Sequence, residues 1–426
     1  MAESDASTAA HRAIEAVWRI ESARLIAGLT RMVRDVGLAE DLAQDALVAA
    51  LESWPNDGVP ENPGAWLMAA ARRRGIDQLR RGKMLERKHA ELGVEMTERE
   101  QEAPDFDAPL DDDVGDDLLR LMFISCHPVL STEARVALTL RLIGGLTTEE
   151  IARAFLAPVA TIQQRIVRAK RTLTEARVPF EMPRGADRAA RISSVLDVIY
   201  LVFNEGYSAT AGDDWVRPAL CDEALRLARV LAGLVPDDSE VLGVVALLEI
   251  QSSRIGARTT LEGEPILLMD QDRSHWNRLL IQRGLAALDK ALTLTGALGP
   301  YTLQAAIAAC HARARTAEET EWTRITALYD ALAQLTPSPV VELNRAVAYS
   351  MAFGPAEGLA IIEPLREDAL MKSYHLLHAV RADFLFKLGR FGEAKHELQK
   401  AVAMVHNERE KRMLEARVKE CELRGC

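Results

Sequence analysis

Two stretches of the sequence carry side chains suited to nucleic acid. Between Arg72 and Lys88 lie eight bases, Arg72, Arg73, Arg74, Arg80, Arg81, Lys83, Arg87 and Lys88, against the acids Asp77 and Glu86. Farther along, Gln163, Gln164, Arg165, Arg168, Lys170 and Arg171 point away from an apolar stripe of Ile162, Ile166, Ala169 and Leu173. Glutamine can pair its amide with adenine and arginine its guanidinium fork with guanine in the major groove, while the later bases suit phosphates. The plain alternative for the second stretch is a solvated basic helix. Enzymatic chemistry has thinner support. His275 lies near Asp270 and Asp272, and His311 follows Cys310, but adjacent residues occupy different faces of a helix. There is no glycine-rich phosphate loop, HExxH or GxSxG. Cys126, Cys221, Cys310, Cys421 and Cys426 form no CxxC pair and show no metal-ligand spacing with histidine. The expectation is a protein that is not an enzyme, holds no metal or cofactor and keeps its thiols reduced.

The elements that must position these groups are helical throughout. In 426 residues that are 48% hydrophobic and 5% aromatic, Ala, Leu, Arg and Glu recur at helical spacing and no strand series stands out. The chain is therefore read as all-α, with two or three domains. No segment has the roughly 18 unbroken apolar residues of a membrane span, and Met1 to Ala10 has no apolar signal core, so a cytoplasmic location and no membrane partner are expected. The net charge of −11 is unevenly spread: Glu91 to Asp117 holds twelve acids, one base (Arg99), Pro104 and Pro109. Such a segment has too little apolar surface to offset the entropy of ordering it, and reads as a linker over 91–115. It separates a module at 9–90 from one at 116–178. A breaker cluster of Pro179, Pro183 and Gly185 precedes a long helical region over 186–426.

In the first module, Ala39, Leu42, Ala43, Ala46, Leu47, Ala50, Leu51 and Trp54 form an apolar stripe, and Asp41, Asp45 and Glu52 share another face. Trp54-Pro55-Asn56-Asp57-Gly58 is expected to end that helix. Asn62-Pro63 starts the next as a cap followed by proline, and Trp66 is assigned to its buried side. In the second module, Ser131 caps one helix, and Thr147-Thr148-Glu149-Glu150 fits a capping box that starts a short second one. Ala157-Pro158 then breaks the chain before the glutamine- and arginine-bearing helix, which gives a helix-turn-helix.

Two blocks in this order resemble the extracytoplasmic-function type of sigma-70 factor. GLAEDLAQDALVAALESWP with PGAWLMAAARRRGIDQLRR resembles sigma region 2, and LSTEARVALTLRLIGGLTTEEIARAFLAPVATIQQRIVRAKRTL resembles region 4. The resemblance implies that Asp41, Leu42, Gln44 and Asp45 bind the β′ clamp helices of core RNA polymerase, and that region 4 meets the β flap. It further implies that Arg72, Arg73, Arg74, Asp77, Gln78, Arg80 and Arg81 contact the −10 promoter element. Thr161, Gln163, Gln164, Arg165, Arg168, Lys170 and Arg171 would read the −35 element, and Pro55 to Gly64 would capture a base flipped from the non-template strand. The family often carries glycine in the helix-turn-helix turn, where this chain has Leu156 and Ala160. The function implied is promoter-specific transcription initiation with promoter DNA and core polymerase as partners. The alternatives are a helix-turn-helix regulator that never replaces a sigma subunit, and a repeat scaffold with decayed DNA modules.

The region over 186–426 shows a period near 34 residues, with Gly354 and Gly389 between helical runs and Pro236 and Pro337 after others. KLGRFGEAKHELQKAV is similar to a tetratricopeptide repeat. LVFNEGY, GPYTLQAAIAACHA and SPVVELNRAVA resemble the repeat-bearing extension of one subgroup of these sigma factors. A protein partner for this domain is expected, because such repeats stack into concave binding surfaces. Thr259 to Trp276 interrupts the pattern, and is either a contact-forming insertion or a surface loop. The acidic linker is a solvated tether, a mimic of nucleic acid in the polymerase cleft, or a segment folding back on the basic helices. The last reading predicts that neutralising Asp111, Asp112 and Asp113 raises promoter binding in the absence of polymerase; unchanged binding in a mobility-shift titration would dispose of it.

Overall fold

A computed structural model describes residues 2–91, 114–155, 157–208, 215–260, 263–294, 298–369 and 371–424, with side chains described within those ranges from 12 to 77 and, residue 373 aside, from 116 onward. Helices make up both of its compact units, Met1–Val198 and Ile199–Cys426. Among the described residues there is no strand, and Thr259 and Pro265 form one isolated bridge. No described helix is long and apolar enough to cross a membrane.

The first unit opens with α1 (Ala2–Val33), α2 (Val36–Asp57) and α3 (Pro63–Glu91), which pack on one another. Arg34 at φ 54 turns the chain out of α1, and Asp35 caps α2 by accepting from the Leu38 N–H. Most of the predicted apolar stripe is buried: Ala39, Leu42, Ala43, Ala46 and Ala50 have no exposed surface and Trp54 is 2% exposed, but Leu47 is half-buried and Leu51, at the stripe's edge, is 37% exposed. The helix passes through Pro55 and ends within the expected segment, at Asp57 with Gly58 as its cap. Its last turn survives because the Gly58 N–H, at φ 84, donates to the Trp54 carbonyl. Asn62 accepts from the Ala65 N–H and Pro63 opens α3, as the sequence predicts. Trp66 meets Trp54 edge-on with ring centres 5.3 Å apart, and is half-buried.

Four more helices follow: α4 (Val114–Ser125), α5 (Thr132–Leu142), α6 (Thr148–Ala154) and α7 (Val159–Glu175). The acidic segment expected at 91–115 falls mostly on residues 92–113, outside the described residues. Asp117 beyond it is buried in α4, 3.2 Å from Arg31 and 2.7 Å from Arg120. Ser131 and Thr147 cap α5 and α6. Both halves of the Thr147–Glu150 capping box are present, with the Thr147 N–H donating at 2.8 Å and the Glu150 N–H at 3.1 Å. The cysteines Cys126, Cys221, Cys310 and Cys421 are unpaired and buried. Burial pushes the Cys126 thiol up to about 11 and Cys221 up to about 12.

α8 (Gly185–Tyr207) spans the boundary between the units. The second unit continues with α9 (Pro218–Leu234), α10 (Ser239–Ser252), α11 (Arg278–Thr293), α12 (Pro300–Arg313), α13 (Trp322–Leu335), α14 (Pro339–Phe353), α15 (Pro355–Ile362), α16 (His375–Lys387), α17 (Phe391–Met404) and α18 (Glu408–Arg424). From α9 onward most helices pack on their neighbours in sequence, and α10 packs as well on α12, two helices on, which is how helical pairs stack. Gly354 at φ 106 and Gly389 at φ 73 make two of the turns, and Pro236 and Pro337 follow α9 and α13. α10 is buried on nearly every side, where α9, α11 and α12 cover it. A side chain at Gly243 would meet the Thr302 backbone nitrogen at 2.7 Å, so that glycine sets how closely α10 and α12 approach. Glu240 accepts from the Tyr301 and Thr302 N–H groups at 2.8 and 3.0 Å, capping α12 from another helix.

The insertion Thr259 to Trp276 is not a bare surface loop. Its short 3-10 turns bring Arg273 and Trp276 inside, at 7% and 3% exposure. Arg273 donates to the carbonyls of His311 and Ala314, both at 2.8 Å, where α12 ends. Glu264 pairs with Arg409 and Arg412 of α18 at 3.6 and 2.8 Å.

Another buried charge holds α16 to α17. Glu397 lies 2.6 Å from His378 Nδ1, 3.1 Å from Arg381 and 3.0 Å from Lys400. Burial alone would raise its carboxyl, but these three partners hold it down to about 2. Because the folded value lies below the ordinary 4.5, the stabilisation is present above that pH and disappears as pH falls towards about 2. Glu397→Gln is expected to destabilise the chain by about 3 kcal/mol or more at pH 7. In urea melts the gap from wild type should narrow through the acid range.

Candidate nucleic-acid interface

α7 carries the residues expected to read DNA. Ile162, Ile166, Ala169 and Leu173 are 1%, 6%, 2% and 4% exposed, so the apolar stripe is its packed side. Gln163, Gln164, Arg168 and Arg171 lie on the exposed side, while Thr161, Arg165 and Lys170 are half-buried at its flanks. The turn before α7 is held by backbone bonds: the Ala157 N–H donates to Ala152, and the Thr161 and Ile162 N–H groups donate to Pro158. Leu156 lies outside the described residues. A short capped helix followed by a turn and a helix with one bare polar face can enter a groove of DNA, bare face first.

α3 presents a second basic surface. Arg73 and Asp77 are exposed, and Arg72 and Arg74 half-buried. Gln78, Arg80 and Arg81 continue the same helix, with side chains outside the described residues. On α2, Asp41 is exposed, Gln44 and Asp45 are half-buried, and Leu42 is wholly buried beneath them. Leu42 therefore anchors α2 in the core, and Asp41, Gln44 and Asp45 lie on its outer side. Arg74 reaches Asp45 at 3.4 Å, so the acidic and basic faces touch at their edges. Burial raises the Asp41 carboxyl, Lys170 opposes this, and Glu40, Asp35 and Asp45 add to it.

The structure joins the two modules chiefly through Glu40 and Arg141, which sequence reasoning did not single out, together with Lys170, which it assigned to DNA. Glu40 is 4% exposed, at the start of α2. Arg141 of α5 donates to its carboxylate at 2.7 Å, and Lys170 of α7 forms an ion pair with its other oxygen. Arg141 also donates to the Leu146 carbonyl at 3.2 Å, bracing the loop before α6. Beside this, Asp35 accepts from the Thr174 hydroxyl at 3.0 Å while capping α2 with its other oxygen. On the surface, Arg19 and Glu150 pair at 3.3 Å. Lys170, expected to touch a phosphate, is thus engaged with Glu40. The only sequence signal was an acid at the edge of an apolar stripe, Ala39-Glu40 followed by Ala43, a pattern that an ordinary solvated acid also shows.

Comparison with known proteins agrees with both modules. Sigma-70 region 2 matches residues 20–84 and Sigma-70, region 4 matches residues 120–173. A family of unknown function (DUF6596) matches residues 191–292. Uncharacterized protein R00370 of Rhizobium meliloti (strain 1021) is 45% identical over 381 residues, 89% of each chain. The probable ECF RNA polymerase sigma factor SigI of Mycobacterium tuberculosis (strain ATCC 25618 / H37Rv) is 27% identical over 39% of this chain, which spans 57% of that protein. The ECF RNA polymerase sigma factor SigK of Mycobacterium sp. (strain KMS) is 28% identical over 36% of this chain and 77% of its own. With regions 2 and 4 in order on one helical chain, and helices continuing well past them, the protein belongs to the sigma-70 family, in its extracytoplasmic-function type, and bears a C-terminal helical extension.

Proposed function

We propose that this sigma factor binds core RNA polymerase and directs initiation at promoters through −10 and −35 recognition. The observation that carries the reading is the bare face of α7: Gln163, Gln164 and Arg168 point away from a fully packed stripe on a capped helix-turn-helix. Those three residues, with Thr161, Arg165, Lys170 and Arg171, would read the −35 element. Base-edge contacts set sequence preference, and the terminal bases bind phosphates. Arg72, Arg73, Arg74, Asp77, Gln78, Arg80 and Arg81 would contact the −10 element. Asp41, Gln44 and Asp45 would dock on the basic clamp helices of β′, with Leu42 holding α2 in register, while region 4 meets the β flap. The domains serving these roles are residues 9–90, 116–178 and 186–426, with the acidic stretch 91–115 tethering the first two. The last domain would modulate activity through a protein partner, and the reaction chemistry is left to the polymerase.

The Glu40 contact gives this function a resting form. While Lys170 is tied to Glu40, α7 stays against α2 and cannot take a separate position on DNA. Engagement with two promoter elements then requires this contact to part, and polymerase, by binding the acidic face of α2 beside Glu40, is suited to drive it. The energy at stake is that of a buried ion pair, about 3–5 kcal/mol on removal of one partner.

Run-off transcription with sigma-free core polymerase tests the main reading. Wild-type chain is expected to initiate without any other sigma subunit, and Arg73→Glu and Arg168→Glu are each expected to lower initiation at least tenfold. Initiation that needs a second sigma factor would make the chain a regulator. Glu40→Gln, by freeing Lys170 for a phosphate, is expected to strengthen polymerase-free promoter binding several-fold at low salt. Equal or weaker binding, measured by fluorescence anisotropy, would show that the Glu40 contact does not hold back DNA.

A further inference from the structure

A cleft of about 750 Å³ opens in the first unit between α4, the start of α8 and the segment that joins α7 to α8. That volume is in the range of small-molecule sites, roughly 300–1,000 Å³. Phe123 and Ile124 of α4, at 2% and 4% exposure, form its floor. Half-buried Phe180 and Met182 form a wall from the joining segment, flanked by Pro179 and Pro183. The two prolines fix φ near both ends of this strap and prevent it from coiling into a helix across the space.

The charges around the cleft are unevenly engaged. Arg120 lines it but is held by Asp117 at 2.7 Å, with Asp116 at 4.0 Å. Arg191 of α8 is half-buried, and it uses one of its several N–H groups on the Phe123 carbonyl at 3.2 Å. Burial lowers this guanidinium, and Asp187, one turn earlier, offsets part of the effect. The charge of Arg191 is still felt nearby: burial first, then Arg191, lower the His127 imidazole to about 4. Arg184 stands exposed at the rim, which it shares with the exposed acids Glu181 and Asp187. A doubly charged anion would be repelled by both acids. A single carboxylate can instead take two parallel hydrogen bonds from an arginine fork.

An apolar floor and wall beside a guanidinium fork call for a ligand with the same two halves. We propose that the cleft binds a small organic monocarboxylate with an apolar body, aromatic or aliphatic. The body lies on Phe123, Ile124, Phe180 and Met182, out of water, and the carboxylate pairs with Arg191 and Arg184. The bound acid bridges α4 to the first turns of α8 and holds the strap against both, so its concentration bears on the module that carries α7. Binding of the acid is independent of promoter recognition, and titration and run-off transcription can fail separately.

Calorimetric titration of the full chain at neutral pH and fixed ionic strength tests the site. Phenylpropionate serves as the aromatic acid and octanoate as the aliphatic one, with phenylpropanol and octanol as their uncharged counterparts. At least one acid is expected to saturate at one molecule per chain, with a dissociation constant of roughly a millimolar or tighter. Its matching alcohol is expected to bind about tenfold more weakly or worse. The tighter acid assigns the body as aromatic or aliphatic. Arg191→Gln is expected to weaken binding about tenfold, and Arg184→Glu about threefold or more. Arg188→Gln, an exposed change on the same helix that does not line the cleft, keeps the wild-type affinity. Arg184 is exposed, so Arg184→Glu decides where Arg191→Gln does not fold. No saturable heat with either acid, an alcohol that binds as tightly as its acid, or full affinity in Arg184→Glu overturns the site.

Discussion

Glu40 occupies a position where the helix pattern would accept an alanine, and it brings a charge into a place with almost no access to water. A lone carboxylate there would be strongly disfavoured. It is tolerated because Arg141 and Lys170 arrive from the other module, one on each oxygen, and because Arg141 also reaches the Leu146 carbonyl. The consequence is specificity of docking more than net stability. An apolar residue would hold the modules as firmly, but only the carboxylate fixes which turn of α7 faces which turn of α2. Thr174 on Asp35, one helical turn after Lys170, sets the same register a second time.

That arrangement gives one lysine two uses. Lys170 satisfies a buried acid when the modules are together, and under the proposed function it would be available to a phosphate when they are apart. The same economy appears on α3, where Arg74 pairs with Asp45 of the face assigned to polymerase. A chain with net charge −11 can thereby carry strongly basic helices without leaving all their charge exposed in the free protein. Coulombic pairing at half-exposed sites is weak and screened by salt, so such contacts can be exchanged for DNA at small cost. The buried pair at Glu40 is the one that resists exchange.

Much of this was legible in the residues. Period and caps located α2, α5, α6 and α7 correctly, because Ser131 and Thr147 act over three residues and need no tertiary information. The exposed face of α7 followed from the same arithmetic. Long-range polar pairing did not: nothing local to Ala39-Glu40 says that its partners lie 101 and 130 positions away, and an acid at the edge of a stripe looks solvated until the other module is placed. Leu42 was legible as a stripe residue, yet the resemblance assigned it a surface role; its complete burial follows the periodicity. The insertion Thr259 to Trp276 has no period at all, so only the fold reveals that its arginine and tryptophan point inward.

In the second unit, Glu264 and α18 bear on how the stack behaves as a whole. A linear array of helical pairs is stable in proportion to its neighbours and can fray one pair at a time from a free edge. Here Arg409 and Arg412 reach back to a residue nearly 150 positions earlier, past every helix from α11 to α17. Each pair is half-exposed and contributes little energy by itself. Their effect is on connectivity: detaching α18 also releases Glu264 from the segment that carries Arg273, so loosening at one edge is felt near the beginning of the stack. Such closure favours all-or-none unfolding over stepwise peeling, and it raises the entropic cost of assembling the unit in the first place.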